Sequence, residues 1–560
     1  MFLILSLLST PTSLDVRTDL ARYCPGTAAA VSVTSPATGT AVACSLSIYH
    51  LGREIASLET GSNGVGTWRC PSADGAGYTV VAQQKGQGGQ VLAQGSTAID
   101  VSSKWTVHPR YGFISYFGQG LAAQAEPMLE ALKTYHLDGI QFYDWQWKHH
   151  FPLSPDPTWP DIANRQNSAQ TVRAFVQAAH RRGISCEAYN LMYGAWDNYT
   201  ADGVSPSWGL YNDTQSMQQY FVGMPQGWAT SGLWIFNPLD ARWRAYLIQH
   251  EQSAVTAFGF DGWHVDQLGD PGIKYDSGGQ TVYVWQGFEP FLNQIKQSGI
   301  GDVIFNNVGG YGLAQTLSSA TDAMYLECWS WSGQKTFLDI QNTVSSMTAS
   351  GKAAVLAAYM DRDLAQQTGS GTAAIFNSNG VLLADAVIFA NGGSHIELGD
   401  SLDLLDNEYF PNHNLHPSAD LLASLRRYYD FLVGYEELLQ GSGSVGPANV
   451  QIGNVPVSGN GQPGTVWAFQ RTQPNRTVVH LVNLLSQTGN LVLDPSGTCP
   501  PPKLQVGLTV RIAAASRPAH VSIASPDGDG QLREVPFQWA NGTVTVPVDR
   551  LLNWTMVVLG

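Results

Sequence analysis

Between residues 106 and 435, runs with the texture of buried strands alternate eight times with runs at helical spacing, and few folds accept that pattern. The strand candidates are Gly112–Phe117, Gly139–Asp144, Ile184–Asn190, Gly262–Asp266, Val303–Asn307, Met324–Glu327, Ala353–Tyr359 and Ala386–Ala390. Between them, segments such as Gln170–Arg181 and Phe288–Gln297 repeat apolar residues at steps of three and four. Eight β/α units in one stretch predict a (β/α)8 TIM barrel rather than an open sheet. The clearest unit has Trp243, Leu247, His250, Ala254, Val255 and Phe258 on one helix face, Asp240 as its cap and Gly259 as its stop. The strand that follows ends on Asp266. Residues 193–237, rich in Trp, Gly and Asn, form a long insertion after the third strand, on the face where loops shape a cleft.

On both sides of this stretch the period falls to two. Residues 16–105 carry short alternating strands separated by Gly, Ser and Asn turns, and residues 436–560 do the same. The fold class is therefore a multidomain α/β plus β chain, a central barrel (106–435) flanked by two β-sandwiches. Residues 1–15 begin with an apolar run followed by small residues and read as a signal peptide, which predicts a secreted, extracellular protein. Five glycosylation sequons, at Asn198, Asn212, Asn475, Asn541 and Asn553, agree with that reading. Of the six cysteines, Cys24, Cys44 and Cys70 lie close enough in sequence to predict one bridge, Cys186 and Cys328 read as buried thiols, and Cys499 has no evident partner. The formal charge of −15 argues against nucleic acid and anionic membranes as partners. No later run is long enough to span a bilayer. A monomer acting on a neutral ligand is expected.

Polar and aromatic residues gather at the predicted strand ends. Asp144 is followed by Trp145, Trp147, His149 and His150. Tyr189 and Asn190 end the third strand, Asp266 the fourth, Asn306 and Asn307 the fifth. Glu327 ends the sixth, with Trp329 and Trp331 behind it, and Asn391–Asp400 follows the eighth. Glycoside hydrolysis needs two carboxyl groups, one ionised and one protonated, flanking the scissile bond. Asp266 and Glu327 are the candidates. Aromatic faces cover the C–H faces of sugars, and polar groups bond the hydroxyls. Candidate substrate contacts are Asp144, Tyr189, Asn190, His264, Asn306, Trp329, Glu397 and Asp400. The separation of the two carboxyls, and with it retention or inversion, is left open. Trp263 reads equally as core or site, and His264 more readily as a core histidine than a proton carrier. His149 and His150 have no third ligand at useful spacing, so no metal is expected. Ser115 and Ser394 lack a G-x-S-x-G setting. No cofactor is called for.

Several of these segments resemble glycoside hydrolase family 66, the endo-dextranases and cycloisomaltooligosaccharide glucanotransferases. They are Gln141–Trp145 (QFYDW), Gly259–Asp270 (GFDGWHVDQLGD), Tyr325–Trp329 (YLECW) and Gly393–Asp400 (GSHIELGD). Tyr23–Gly26, Arg427–Leu432 and Ser525–Asp527 also look similar. The resemblance implies an immunoglobulin-like N-terminal module, a barrel and a C-terminal Greek-key sandwich. It implies Asp266 as nucleophile and Glu327 as general acid/base in a retaining cleavage of α-1,6-glucan, with Asp144, Tyr189 and Asn190 holding the glucose. The family's transferases carry a large carbohydrate-binding insertion in or near the late barrel. Residues 359–385 leave no room for one, which favours hydrolysis of dextran to isomaltooligosaccharides. A glucan transferase, a non-catalytic glucan-binding protein, and a hydrolase of another α-glucan such as starch are the competing readings.

Overall fold

The computed structural model describes residues 12–368, 374–408 and 414–560. Most of the expected leader, residues 1–11, lies outside them. Its last residues are part of the first β-module: Thr12–Ser13 pairs with Ala93–Gln94, and Leu14 is buried.

The barrel strands are β1 (Tyr111–Ile114), β2 (Gly139–Phe142), β3 (Ser185–Leu191), β4 (Gly262–Asp266), β5 (Asp302–Asn306), β6 (Ala323–Cys328), β7 (Ala353–Ala358) and β8 (Ser394–His395). They pair in that order, all parallel. The seam between β1 and β8 is crossed by Phe113 N–H donating to Leu398 O at 3.2 Å. The helices are α1 (Ala125–Lys133), α2 (Ala169–His180), α3 (Ala241–Phe258), α4 (Phe288–Ser298), α5 (Leu313–Thr316), α6 (Phe337–Ala349), α7 (Arg362–Gln367), α8 (Ser378–Ala390) and α9 (Ala419–Gly434). Asp240 caps α3 by accepting from Arg242 N–H, and Gly259, at φ 79°, ends it.

The eighth strand is misplaced by the sequence pattern. Ala386–Ala390 is the last part of α8, and the strand is the short Ser394–His395 that follows. From Leu383 through Ala390 every residue of α8 is buried. A helix apolar all round has no amphipathic period, so its end cannot be told from a buried strand. β1 and β2 also stop earlier than expected, and Asp144 leaves the strand with φ 50°.

The pleat sorts side chains into two cores. Ile140, Phe142, Cys186, Ala188, Trp263, Val265, Phe305, Met324, Leu326 and Cys328 face the helices. Tyr111, Tyr189, Ile304, Tyr325, Val355, Ala357 and Ile396 fill the lumen. Trp105 forms its floor, stacked on Tyr111 with ring centres 4.9 Å apart. A Cβ at Gly139 would meet that indole at 2.5 Å, so β2 must begin with glycine.

The flanking modules are both two-sheet sandwiches. In the first, the five-stranded sheet containing Ala76–Lys85 and Val91–Val101 shares a core with the three-stranded sheet containing Ala28–Thr34. In the last, a seven-stranded sheet around Val466–Gln473, Arg476–Asn483 and Trp554–Leu559 packs on a four-stranded one around Gln505–Ala513 and Thr543–Leu551. The expected bridge among Cys24, Cys44 and Cys70 is not formed: all six cysteines are free, with Cys24 facing solvent and the other two in the interior. Asn553 is buried with its amide on Asp527, so that sequon is closed in the folded chain; Asn198, Asn212, Asn475 and Asn541 are exposed. Among the described residues, no helix is long and apolar enough to cross a membrane.

One buried cation ties the first module to the barrel. Arg110 meets Asp100 of the first sandwich, Asp138 at 2.7 Å before β2, and Glu436 at 3.4 Å just beyond α9, all with no side-chain exposure.

Candidate active site

The C-terminal ends of the strands open into a cleft lined by side chains from β2 through β6. Asp266 is the last residue of β4 and lies partly open to it. Glu327 is the penultimate residue of β6 and points inward from the same rim, because it alternates with the lumen residue Tyr325.

The two carboxylates share one donor. Asn306, at the end of β5 between them, gives one Nδ2 hydrogen to Asp266 Oδ1 at 2.7 Å and the other to Glu327 Oε1 at 2.8 Å. Two oxygens on one nitrogen can be no farther apart than roughly 5.5 Å, the reach of two hydrogen bonds and the top of the range for a double-displacement pair. Asp266 Oδ2 also accepts from Tyr189 OH at 2.8 Å, and Glu327 Oε2 from Trp329 Nε1 at 2.9 Å.

Their environments separate the two acids. Burial pushes Asp266 up to about 6, opposed by its bonds from Tyr189, Gln267 N–H and Asn306. Burial and the neighbouring Asp266 charge push Glu327 higher, to about 8, against the donors Asn306, Tyr359 and Trp329. Near neutral pH the pair is thus one carboxylate and one carboxylic acid.

Asp144, Tyr189, His264, Asn306 and Trp329 all line the cleft beside the pair. Burial pushes Asp144 up to about 7, moderated by Arg165 at 3.4 Å. Asn167 Nδ2 fixes its turn by donating to the Asp144 and Trp145 carbonyls. His264, one step below Asp266 on β4, stacks with Tyr111 at 5.8 Å and is held neutral by burial.

Three expected contacts lie elsewhere. Asn190 cannot share the lumen with Tyr189, since neighbours on a strand face opposite ways. Its Nδ2 donates outward to Glu251 of α3 and to His149 O, both at 2.8 Å. Glu397 is buried behind the barrel wall, where Tyr429 OH donates to it at 3.0 Å and Asp385 and His395 lie close by. Those three side chains are one of two groups among the described residues whose ligand atoms lie close enough to hold a cation, the other being His180, Cys186 and Asp261, but they engage one another, with His395 Nδ1 at 2.9 Å from Asp385. Asp400 accepts from Ser115 N–H at 2.9 Å and pins the end of β1.

Other cleft residues were not singled out from the sequence. Tyr143 and Tyr359 line it, as do Val222, Met224, Trp228 and Leu233 from the 193–237 insertion. Period two from Tyr325 and Glu327 finds inward residues on β6, but the turn that brings Tyr143 and Asp144 to the same cleft leaves no such signal. His149 and His150 anchor the insertion: Trp196 Nε1 donates to His149 at 2.9 Å, and His150 pairs with Asp202 at 2.9 Å.

A (β/α)8 barrel with a carboxylate and a carboxylic acid on its rim, walled by aromatic rings, is built as a glycosidase. The sequence matches glycosyl hydrolase family 66 over residues 18–558, and the chain belongs to that family. It is 28% identical to a cycloisomaltooligosaccharide glucanotransferase of Niallia circulans, covering 97% of this chain and 71% of that one. It is 24% identical to a dextranase of Streptococcus salivarius over 80% of this chain and 62% of the other. The fold matches a crystal structure of a Paenibacillus sp. cycloisomaltooligosaccharide glucanotransferase complexed with cycloisomaltoheptaose. The TM-score is 0.88 and the identity 24%, with 98% of this chain and 100% of that chain covered.

Proposed function

We propose that this protein is a secreted endo-dextranase that cleaves internal α-1,6-glucosidic bonds with retention. The observation that carries the reading is the shared Asn306 donor, which keeps the nearest oxygens of the two carboxyls within roughly 5.5 Å and so favours the close pair of a double displacement over the roughly 6.5–9.5 Å that inversion needs for an intervening water. Ionised Asp266 attacks the anomeric carbon while Glu327 gives its proton to the departing glycosidic oxygen. The glucosyl ester on Asp266 is then hydrolysed by water, which surrenders a proton to Glu327. Asp144 and Tyr189 hold the glucose hydroxyls at the cleavage point. The substrate class rests on the names of the relatives, a dextranase and glucanotransferases that form cyclic isomaltooligosaccharides. Exposed sequons and the apolar start favour release outside the cell.

Hydrolysis is preferred over cyclisation. The alignment with the Niallia transferase runs over 709 positions against 560 residues here, so that relative carries segments this chain lacks. Transfer remains the second reading, favoured by the higher identity to the transferase than to the dextranase. Incubation with dextran, pullulan and starch separates these readings. We expect linear isomaltooligosaccharides from dextran alone; cyclic products would establish the transferase, and no cleavage of dextran would refute both. Asp266→Asn should abolish turnover and keep glucan binding. Wild-type activity in that variant would show that another group attacks.

A further inference from the structure

Trp331, four residues beyond Glu327, is 67% exposed, the highest value for a large apolar side chain among the described residues. Its ring lies nearly parallel to that of Trp329, with centres 5.7 Å apart and planes at 18°. Trp329 is the ring that donates to Glu327. The Trp331 indole also rests on the loop after β5, where a Cβ on Gly309 would lie 3.1 Å from it. The neighbouring Val308 lines the cleft and packs beside Gly269, next to Leu268, a cleft residue that is 42% exposed. Leu268, Val308, Trp331 and Trp329 therefore form one apolar strip across the ends of β4, β5 and β6, continuous with the cleft wall. Apolar surface kept in water at the edge of a site marks a place that a ligand covers.

The chemistry fixes which part of the ligand. An acid that protonates the glycosidic oxygen faces the sugar being expelled, so that sugar lies on the Glu327 side of the cleaved bond, beside Trp329 and Trp331. We propose that Trp331 is the platform for the glucose unit on the leaving-group side and, in the second half of the reaction, for an acceptor glucan. This rests on the glucanase reading above. The indole offers a flat apolar face to the C–H face of a pyranose. With the glucosyl ester formed on Asp266, a hydroxyl of a sugar seated on Trp331 competes with water: its oxygen bonds to the anomeric carbon, the bond to Asp266 breaks, and its proton goes to Glu327. Trp331 thus sets the balance between hydrolysis and transfer.

Titration of isomaltohexaose into Asp266→Asn, with and without Trp331→Ala, reads the platform without turnover. Removal of the indole should weaken binding about tenfold, and Trp331→Phe should keep most of it. In the active enzyme, Trp331→Ala should lower kcat/KM on dextran by a similar factor and reduce the share of transfer products at high glucan concentration. Cleavage of isomaltosyl fluoride, which has no leaving sugar, should fall far less. Equal losses on dextran and the fluoride would mean that Trp331 supports the cleft as a whole, since the fluoride neither seats a leaving sugar nor needs Glu327 to protonate its departure, and unchanged binding and transfer would equally overturn the platform. A wild type that cleaves dextran with a silent Trp331 removes only this inference. A wild type that neither cleaves nor binds dextran removes the glucanase reading and the platform with it.

Discussion

Asn306 donates to both acids of the pair. Its two N–H bonds favour the charged forms of Asp266 and Glu327, lowering both against the burial that raises them. The sign follows directly. Without the amide both acids titrate higher, so the limb of the pH profile set by Asp266, near 6, and the limb set by Glu327, near 8, both move to higher pH. Asn306→Ala should displace both limbs of kcat/KM upward by about one to two pH units, because a bond to a charged group contributes about 1.5–3 kcal/mol. A loss of rate with unmoved limbs would show that Asn306 serves packing alone. Much of the site was legible at this scale. Asp266 and Glu327 showed as acids at strand ends, but their shared amide did not, because sequence carries no information on which of three neighbouring strand tips touch. Asn190 was misread for a different reason: strand period puts it and Tyr189 on opposite faces, and its partner Glu251 is a helix residue 61 positions away.

At the scale of elements, local signals were enough where an element has a polar side. α3 shows its cap, its apolar face and its glycine stop, and all three stand in the structure, except that His250 of that face is only half-buried. α8 is buried on every side from Leu383 onward, so its end reads as a strand. β2 shows a constraint that sequence cannot state: its first residue must leave room for Trp105, whose indole floors the lumen and donates to Asp302 Oδ2 at 3.1 Å. Gly139→Ala places a methyl group inside that contact. We expect a loss of about 1–3 kcal/mol in urea unfolding, the usual range for overpacking, with the Asp266–Glu327 chemistry intact in the folded fraction. A variant as stable as the wild type would mean that Trp105 can shift without cost.

Across the whole molecule, Arg110 carries the junction between the first sandwich and the barrel. Asp138 is pushed up to about 7 and Glu436 to about 8, chiefly by burial, while Arg110 holds both down and keeps Asp100 below the usual carboxylate range. For acids raised in the folded state, stability is fullest below their unfolded values and declines as pH rises through the folded ones. Arg110→Met strips the shared cation, so those acids rise further and the decline steepens. We expect a loss of about 3–5 kcal/mol at pH 8 and a smaller one at pH 5, where the acids can bind protons. Thermal unfolding at the two pH values checks this; equal losses at both would assign the effect to packing of the arginine stem.

By itself the sequence determined the repeating β/α order, the clearest strands of both flanking sandwiches, the cap and stop of α3 and the two acids at the tips of β4 and β6. These follow from spacing along the chain, which periodicity and capping chemistry make visible. Tertiary structure alone decided that Asn306 joins those acids and that Tyr143 and Tyr359 wall the cleft. It also decided that Asn190, Glu397 and Asp400 turn away, and that three acids from distant segments meet on Arg110. Each of these depends on which strand tips and loops come together when the barrel closes, and burial there sets the protonation that the chemistry uses.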